Sequence, residues 1–206
     1  DKRITKFFSL GGQVWVKGYA EISWGLKLGG VHSIRLENSI FGRSSQSIDE
    51  KIFSYISDYS GIYFDGRSKS DLECILSNIS SDFWRKDSFL VSFVKSLLDR
   101  NIQKYKDITK EISLCVAQDD VLLVGQVHGD AAVTQTLSLV GSNFELAALA
   151  VQKFPNKKIF YKPHPYGSRE ETIKIIEKYG FAEISPDVSF NFILKKFKSV
   201  MVNTSG

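Results

Sequence analysis

The decapeptide Val121 to Asp130, V-L-L-V-G-Q-V-H-G-D, constrains the fold more than any other stretch of this chain. Four consecutive apolar residues, Val121 to Val124, describe a strand buried on both faces, as in a parallel sheet. The chain then turns polar at Gln126, His128, Gly129 and Asp130. Open α/β sheets bind ligands beyond the carboxyl ends of their strands. The decapeptide is therefore expected to be a central strand delivering a glutamine and a carboxylate to a ligand. Asp119 and Asp120 precede the strand and fall at the opposite end of the sheet.

The same device recurs downstream. Lys158 to Tyr161 reads as a strand, followed by Lys162-Pro163-His164-Pro165, a loop made rigid by two prolines that fix φ and forbid helix. Ala182 to Ile184 is a short strand before Ser185-Pro186. Ser199 to Val202 is a strand that releases Asn203-Thr204-Ser205-Gly206. Helices are expected between them. Ser142 to Phe154 turns Phe144, Leu146, Ala147, Leu149 and Ala150 inward. Ser168 to Tyr179 has acids early and Lys178 late, in keeping with the macrodipole, and Gly180 ends it; Ser189 to Lys196 is a brief helix. Alternating strands and helices imply a Rossmann-like βαβαβ half. Its parallel sheet would make neighbours of Gln126 with Asp130, Lys162 with His164, Ser185, and Asn203-Thr204-Ser205. Hydroxyls and amides beside free helix N–H groups form an anion site, so a phosphate- or carboxylate-bearing ligand is expected. Neither G-x-G-x-x-G nor the P-loop pattern is present. The net charge of +4 is too small to imply nucleic acid and suits a small anionic ligand or a weak contact with an anionic membrane surface.

The first half is less regular. Gln13 to Val16 and Val31 to Leu36 read as strands, the second ending in the polar run Arg35-Leu36-Glu37-Asn38-Ser39. Tyr19 to Leu28 reads as a helix stopped by Gly29-Gly30. Phe53 to Ile56 and Ile62 to Phe64 suggest a hairpin around Asp58-Tyr59-Ser60-Gly61. Ser70 and Glu73 have the spacing of a capping box. A helix is expected from Asp82 to about Lys106, with Phe83, Leu90, Phe93, Val94, Leu97 and Leu98 inward. The polar stretch Asn101 to Glu111 would connect an N-terminal α/β domain, residues 1–112, to a C-terminal Rossmann-like domain, residues 113–206. The 206 residues suffice to bury a real core. Cys74 and Cys115 have no C-x-x-C partner and are expected to be buried thiols in a reducing compartment. No apolar run approaches the roughly 18 residues that span a bilayer. The chain begins at Asp1 rather than Met and stops directly after a strand. It therefore reads as an excerpt whose C-terminal domain continues downstream.

Each candidate has a plainer reading. Asp130 could cap the following helix. His164 could be a turn residue, and His32 and His128 structural or solvated ones. No pair of histidines has metal-ligand spacing. Thr204-Ser205-Gly206 could be an ordinary loop. Lys195-Lys196-Phe197-Lys198 could be a solvated helix end or touch anionic lipid. Glu37 could pair with Arg35 or another base as a surface ion pair.

Six short motifs, in order and spacing, resemble the bacterial capsule-polysaccharide β-Kdo glycosyltransferases. They are R-L-E-N (Arg35 to Asn38), G-I-Y-F-D (Gly61 to Asp65), S-D-L-E (Ser70 to Glu73), G-Q-V-H-G-D (Gly125 to Asp130), K-P-H-P (Lys162 to Pro165) and N-T-S-G (Asn203 to Gly206). The resemblance covers about Trp24 to Gly206. It implies an α/β, GT-B-like architecture of two Rossmann-like domains around a cleft. It also implies CMP-Kdo as donor, retention of the β configuration, no metal or other cofactor, and a saccharide or lipid-linked acceptor. The family's Q-x-x-x-D aspartate falls on Asp130, its H-P histidine on His164, its threonine-serine motif on Thr204 and Ser205, and its arginine-x-glutamate on Arg35 and Glu37. By the same resemblance Gln126, Lys162, Pro165, Asn203 and Gly206 join the donor site, and Arg35 and Asn38 the acceptor side. Where the family usually has Glu-Asp-Gly-Phe, this chain has Glu37-Asn38-Ser39-Ile40, with Phe41 one place late.

The chemistry that follows assigns Asp130 as the carboxylate that attacks, or stabilises, the anomeric carbon. Glu37 would deprotonate the acceptor hydroxyl. Lys162, His164 and the N–H groups near Ser205 would hold the departing phosphate. The expected location is cytoplasmic, peripheral on the inner face of the membrane. Two other readings stand beside this one. The Asn38-Ser39 departure fits a non-catalytic nucleotide-sugar-binding module of an assembly complex. A transferase for another CMP-activated acid sugar, such as a sialic acid, is the third.

Overall fold

The computed structural model describes residues 7–10, 13–17, 33–38, 55–80, 82–102, 104–105, 108–134, 136 and 140–203. The chain divides into two compact units, Asp1–Tyr105 with Gln135–Leu137, and Lys106–Thr134 with Ser138–Gly206. The expected helix Tyr19 to Leu28 and the residues Thr204, Ser205 and Gly206 lie outside the described residues.

The second unit is built on a parallel sheet. Its strands are β5 (Val121–Val124), β6 (Ile159–Lys162), β7 (Ala182–Glu183) and β8 (Ser199–Val202), in spatial order β7-β6-β5-β8. Every pairing is parallel, with Val124 level with Lys162 on one side and Val202 on the other. The alternation of β5 explains its unbroken apolar run. Val121 and Leu123 pack on one face with Leu146, Ala147, Ala150 and Ile175, from helices α5 (Asn143–Lys153) and α6 (Arg169–Tyr179). Leu122 and Val124 pack on the other with Ile184, Val188, Phe197 and Ile193 of helix α7 (Phe190–Leu194), beside Ile112, Leu114 and Val116. All three helices start on a serine whose hydroxyl accepts an N–H from the third residue on: Ser142, Ser168 and Ser189. Gly180 ends α6 at φ 69°, the left-handed turn the sequence anticipates. Leu149, expected inward, is exposed on the outer flank of α5.

The first unit holds a mixed sheet among its described residues: β1 (Phe7–Leu10), β2 (Gln13–Lys17), β3 (Ser33–Asn38) and β4 (Tyr55–Asp58), adjacent in that order. Only β2 with β3 is parallel; the outer pairs are antiparallel. β3 runs two residues past Leu36, so Arg35, Glu37 and Asn38 belong to the strand rather than to a loop beyond it. The expected hairpin does not form, because β4 pairs with β3 instead. The cause is Asp58. Its carboxylate accepts N–H groups from Ser60, Gly61 and Asp71, which bends the following segment into a closed loop with no second strand.

Helix α1 (Asp71–Asn78) starts where the sequence places it, with Ser70 accepting the Glu73 N–H at 3.0 Å. The single helix expected from Asp82 is two: α2 (Phe83–Lys86) and α3 (Ser88–Asp99). Asp87 breaks them. Its side chain accepts the Leu90 N–H and caps α3, which holds its own ψ at 104°, outside the helical range. The helix also stops well before Lys106, at a left-handed Asn101. Of its expected inward residues, Phe83, Phe93 and Val94 are exposed. Both cysteines are free and exposed rather than buried: Cys74 lies on α1, and Cys115 in a segment whose neighbours Leu114 and Val116 pack against the core.

Candidate functional site

The strand order of the second unit locates its crevice. From β5 the chain proceeds outward through β6 to β7, then returns to add β8 on the other side of β5. That is the order 3-2-1-4, and its reversal point lies between β5 and β8, where α/β sheets bind ligands. Gln126 and Asp130 follow β5, His164 follows β6, Ser185 follows β7 and Asn203 follows β8. The sheet therefore brings these to one edge, as the sequence anticipates.

The turn after β5 is tightly specified. A side chain at Gly125 would put its Cβ 2.5 Å from the Tyr161 hydroxyl, so only glycine lets β6's tyrosine close under the turn. Gly129 takes φ 72°, which reverses the chain toward Asp130. Gln126 is buried and folds its Oε1 back onto the Val127 N–H at 2.9 Å, which leaves its amide NH₂ as the group aimed elsewhere. Asp130 does cap the short helix α4 (Ala131–Thr134): Oδ1 accepts the Ala132 N–H at 2.8 Å. The cap and the ligand readings are compatible, because one carboxylate oxygen suffices to fix the other's direction. His128 is exposed.

Two residues that the sequence reading passed over hold this turn. Asn143, the first residue of α5, accepts the Gln126 N–H at 2.9 Å and donates to the Gln126 carbonyl at 2.8 Å. The same amide donates to Glu171 Oε2 of α6 at 2.9 Å. Burial, reinforced by the Glu171 charge, pushes the neighbouring Tyr161 phenol well above its ordinary range. A buried asparagine clamping both backbone groups of one residue leaves no trace at short sequence range. The partners are 17 positions apart, and only a helix start facing a strand end would have flagged it.

Lys162 ends β6 with its side chain buried. Its ammonium donates to the carbonyls of Pro186 at 3.0 Å and Ser185 at 3.4 Å, which ties the β6 and β7 ends together. Burial lowers its pKa to about 8, against a weaker opposing pull from Asp187. His164 is also buried, and its Nδ1 accepts the Tyr166 N–H at 3.1 Å. The neutral ring then carries its proton on Nε2. The His164 carbonyl accepts the Gly167 N–H, so Pro165 sits inside a closed turn. Ser185 and Pro186 line a cavity of about 520 Å³ with Arg169 and Glu183, themselves an ion pair. Asn203 donates to the Val140 carbonyl at 2.7 Å, which anchors the end of β8 beside the reversal point. Asp119 and Asp120 lie at the amino end of β5, where Asp119 pairs with Lys157 and Asp120 accepts the Ala117 N–H.

Arg35, Glu37 and Asn38 belong to the first unit. Arg35 and Glu37 share one face of β3. Arg35 is buried opposite Asp58, and burial lowers its pKa against the opposing charges of Asp65 and Asp58. Glu37 is half-buried. Among the described residues no three His, Cys, Asp or Glu side chains cluster as metal ligands would.

No family model matches the chain. It is 30% identical over 135 residues to the capsule polysaccharide modification protein LipA of Neisseria meningitidis serogroup A / serotype 4A, which is 65% of this chain and 18% of LipA. The serogroup B LipA is 32% identical over 113 residues, 54% of this chain and 16% of that protein. The chain thus spans less than a fifth of these relatives. Among solved structures it resembles Thermosulfurimonas dismutans KpsC, as the beta Kdo 2,4 transferase, with a TM-score of 0.65 and 20% identity over 91% of this chain and 62% of that one. The KpsC beta Kdo 2,7 transferase gives 0.62 and 24% identity over 94% and 59%. The α/β, GT-B-like fold class and the resemblance to capsule β-Kdo transferases carried by the six motifs are both met here.

Proposed function

We propose that this chain belongs to a glycosyltransferase that moves Kdo from CMP-Kdo to a saccharide or lipid-linked acceptor, with retention, in capsule or other surface-polysaccharide synthesis. The observation that carries the reading is the β7-β6-β5-β8 order, which ranges Gln126, Asp130, His164, Ser185 and Asn203 along one edge of a parallel sheet. The likeness to the KpsC transferases and to LipA supports the choice of sugar and pathway.

In this reading the second unit binds the donor. Lys162 and the Nε2–H of His164 supply positive charge and a donor to the phosphate of CMP as it departs, together with the N–H groups near Thr204, Ser205 and Gly206. Gln126, Pro165 and Asn203 shape the pocket. Asp130, oriented by its bond to the Ala132 N–H, attacks the anomeric carbon through its other oxygen as the bond to CMP breaks and CMP leaves with the electron pair. The acceptor oxygen then displaces Asp130 while Glu37 takes the hydroxyl proton. Two inversions give retention. Arg35 and Asn38 serve the acceptor side. No metal or other cofactor enters this scheme. We place the protein at the cytoplasmic face of the membrane, where an activated sugar meets a lipid-linked acceptor. Among the described residues no helix is long and apolar enough to cross it.

The test is transfer from CMP-Kdo by the full chain and its variants. Asp130→Asn is expected to abolish transfer while CMP still binds, and Glu37→Gln to slow it by about 10²-fold or more. Full activity in Asp130→Asn would remove the nucleophile assignment. CMP binding without turnover in the unsubstituted protein would instead mark a binding module, and preference for a CMP-sialic acid would change the donor.

A further inference from the structure

The first unit contains a pocket that the donor chemistry leaves unused. The Asp58 carboxylate gathers the loop from Ser60 to Asp71 through three backbone N–H groups, and Asp71 returns the favour by accepting the Tyr59 N–H at 2.8 Å. The loop packs so closely on itself that a Cβ at Gly61 would meet the Lys69 carbonyl at 2.3 Å. The result is a fixed wall around a cavity of about 490 Å³ lined by Asp65, Arg67, Ser68, Lys69, Ser70 and Glu73. That volume lies within the range of small-molecule sites, about 300–1,000 Å³. The ring of Tyr63, 43% exposed, stands at its side.

Its polar groups are unevenly satisfied. Both oxygens of Asp65 accept from the Arg67 guanidinium, at 2.7 and 2.8 Å. Ser68 Oγ is buried with no hydrogen-bond partner. Arg35 of β3, which feels the charge of Asp65, is 5% exposed, and its Nε and Nη1 have no partner either. A buried, unmatched guanidinium is costly, and native structures rarely keep one without use. The charges of Asp65 and, less strongly, Asp58 offset its burial, and Arg67 holds both oxygens of Asp65.

We propose that this pocket is a saccharide subsite for an acidic sugar, with the sugar's acid group on Arg67 and Lys69. The mixture of signs decides the ligand class. A bare phosphate would meet the carboxylate of Glu73, whereas a polyol with one acid uses both signs. Its acid takes the cations, its hydroxyls donate to Asp65 and Glu73 and satisfy Ser68 Oγ, and its C–H face lies on Tyr63. When the ligand draws Arg67 outward, Asp65 is released to Arg35, so binding exchanges one ion pair for another and completes the buried guanidinium. The subsite deepens the transfer reading and rests on it for the identity of the sugar, which would be the acidic end of the acceptor.

The test is NMR of the isotope-labelled full chain titrated with free Kdo, Kdo methyl ester and inorganic phosphate. Free Kdo is expected to shift the amides of residues 63–73 together with the Nε–H signals of Arg35 and Arg67. The uncharged ester should bind at least tenfold more weakly, as should Kdo to Arg67→Gln. Ser68→Ala, which removes one hydroxyl at the wall, should weaken binding several-fold while the rest of the amide spectrum stays in place. A response to phosphate as strong as to Kdo, an unmoved Arg35 signal, or equal binding by Arg67→Gln would overturn the proposal. Turnover of CMP-Kdo separates the two claims: transfer with no response in residues 63–73 sinks the subsite alone, while a response without CMP binding keeps the subsite and sinks the transferase.

Discussion

Lys162 carries its charge where burial opposes it, and its pKa of about 8 turns that into a pH-dependent property. In the unfolded chain a lysine titrates near 10.4. Between the two values the unfolded state holds the extra proton, so this residue's contribution to stability rises as pH climbs from about 8 to 10. At neutral pH its buried charge costs about 3 kcal/mol. An anionic nucleotide at the same sheet edge would raise the depressed pKa again. CMP binding at pH 8.5 is therefore expected to take up a proton, and CMP affinity to weaken as pH rises beyond 8. Calorimetry in two buffers of different ionisation enthalpy measures the uptake, and Lys162→Met should remove it. Uptake that persists in Lys162→Met would place the titrating group elsewhere. The residues legible in the sequence were those, like Lys162 and His164, that follow an apolar run directly. Asn143 and Glu171 escaped because their work is done across 17 and 28 residues of chain, on backbone groups and on each other. Arg35 was legible as a charge but not as a buried one, since nothing local marks a strand position that faces inward with a guanidinium.

At the scale of elements, legibility follows the number of buried faces. β5 and β6 are covered on both sides, so their apolar runs could belong to little else. The serine cap of α1 was equally plain, because a cap is decided within four residues. The errors fell where a short acidic side chain competes with the backbone pattern. Asp87 split one expected helix by capping its second part, and Asp58 turned an expected hairpin into a loop. The periodicity of the apolar residues does not record either event. The Asp58 reading has a direct test. Its buried carboxylate holds the N–H groups of Ser60, Gly61 and Asp71, and losing bonds to a charged acceptor typically costs about 1.5–3 kcal/mol. Asp58→Ala is expected to destabilise the first unit by about 3 kcal/mol, read as a lower denaturant midpoint at unchanged slope. An unshifted midpoint would mean that the loop closes by other means.

At the scale of the whole molecule, each unit has its own sheet, and the two clusters of buried residues that sandwich β5 and β6 lie within the second. A ligand that binds only the second unit should stabilise that unit's native state and leave the other's opening equilibria alone. Hydrogen exchange of the full chain with and without CMP resolves this. Protection is expected to increase at residues 124–130, at 162–167 and at Asn203, where the strand ends, the histidine turn and the anchored end of β8 meet the reversal point of the sheet. The strands of the first unit and the loop from Ser60 to Asp71 should exchange at their original rates, because nothing in nucleotide binding alone orders them. An acidic saccharide should do the reverse and protect the loop. Equal slowing of both units by CMP alone would show that the nucleotide couples them, and the donor would then have to be treated as a ligand of the whole chain.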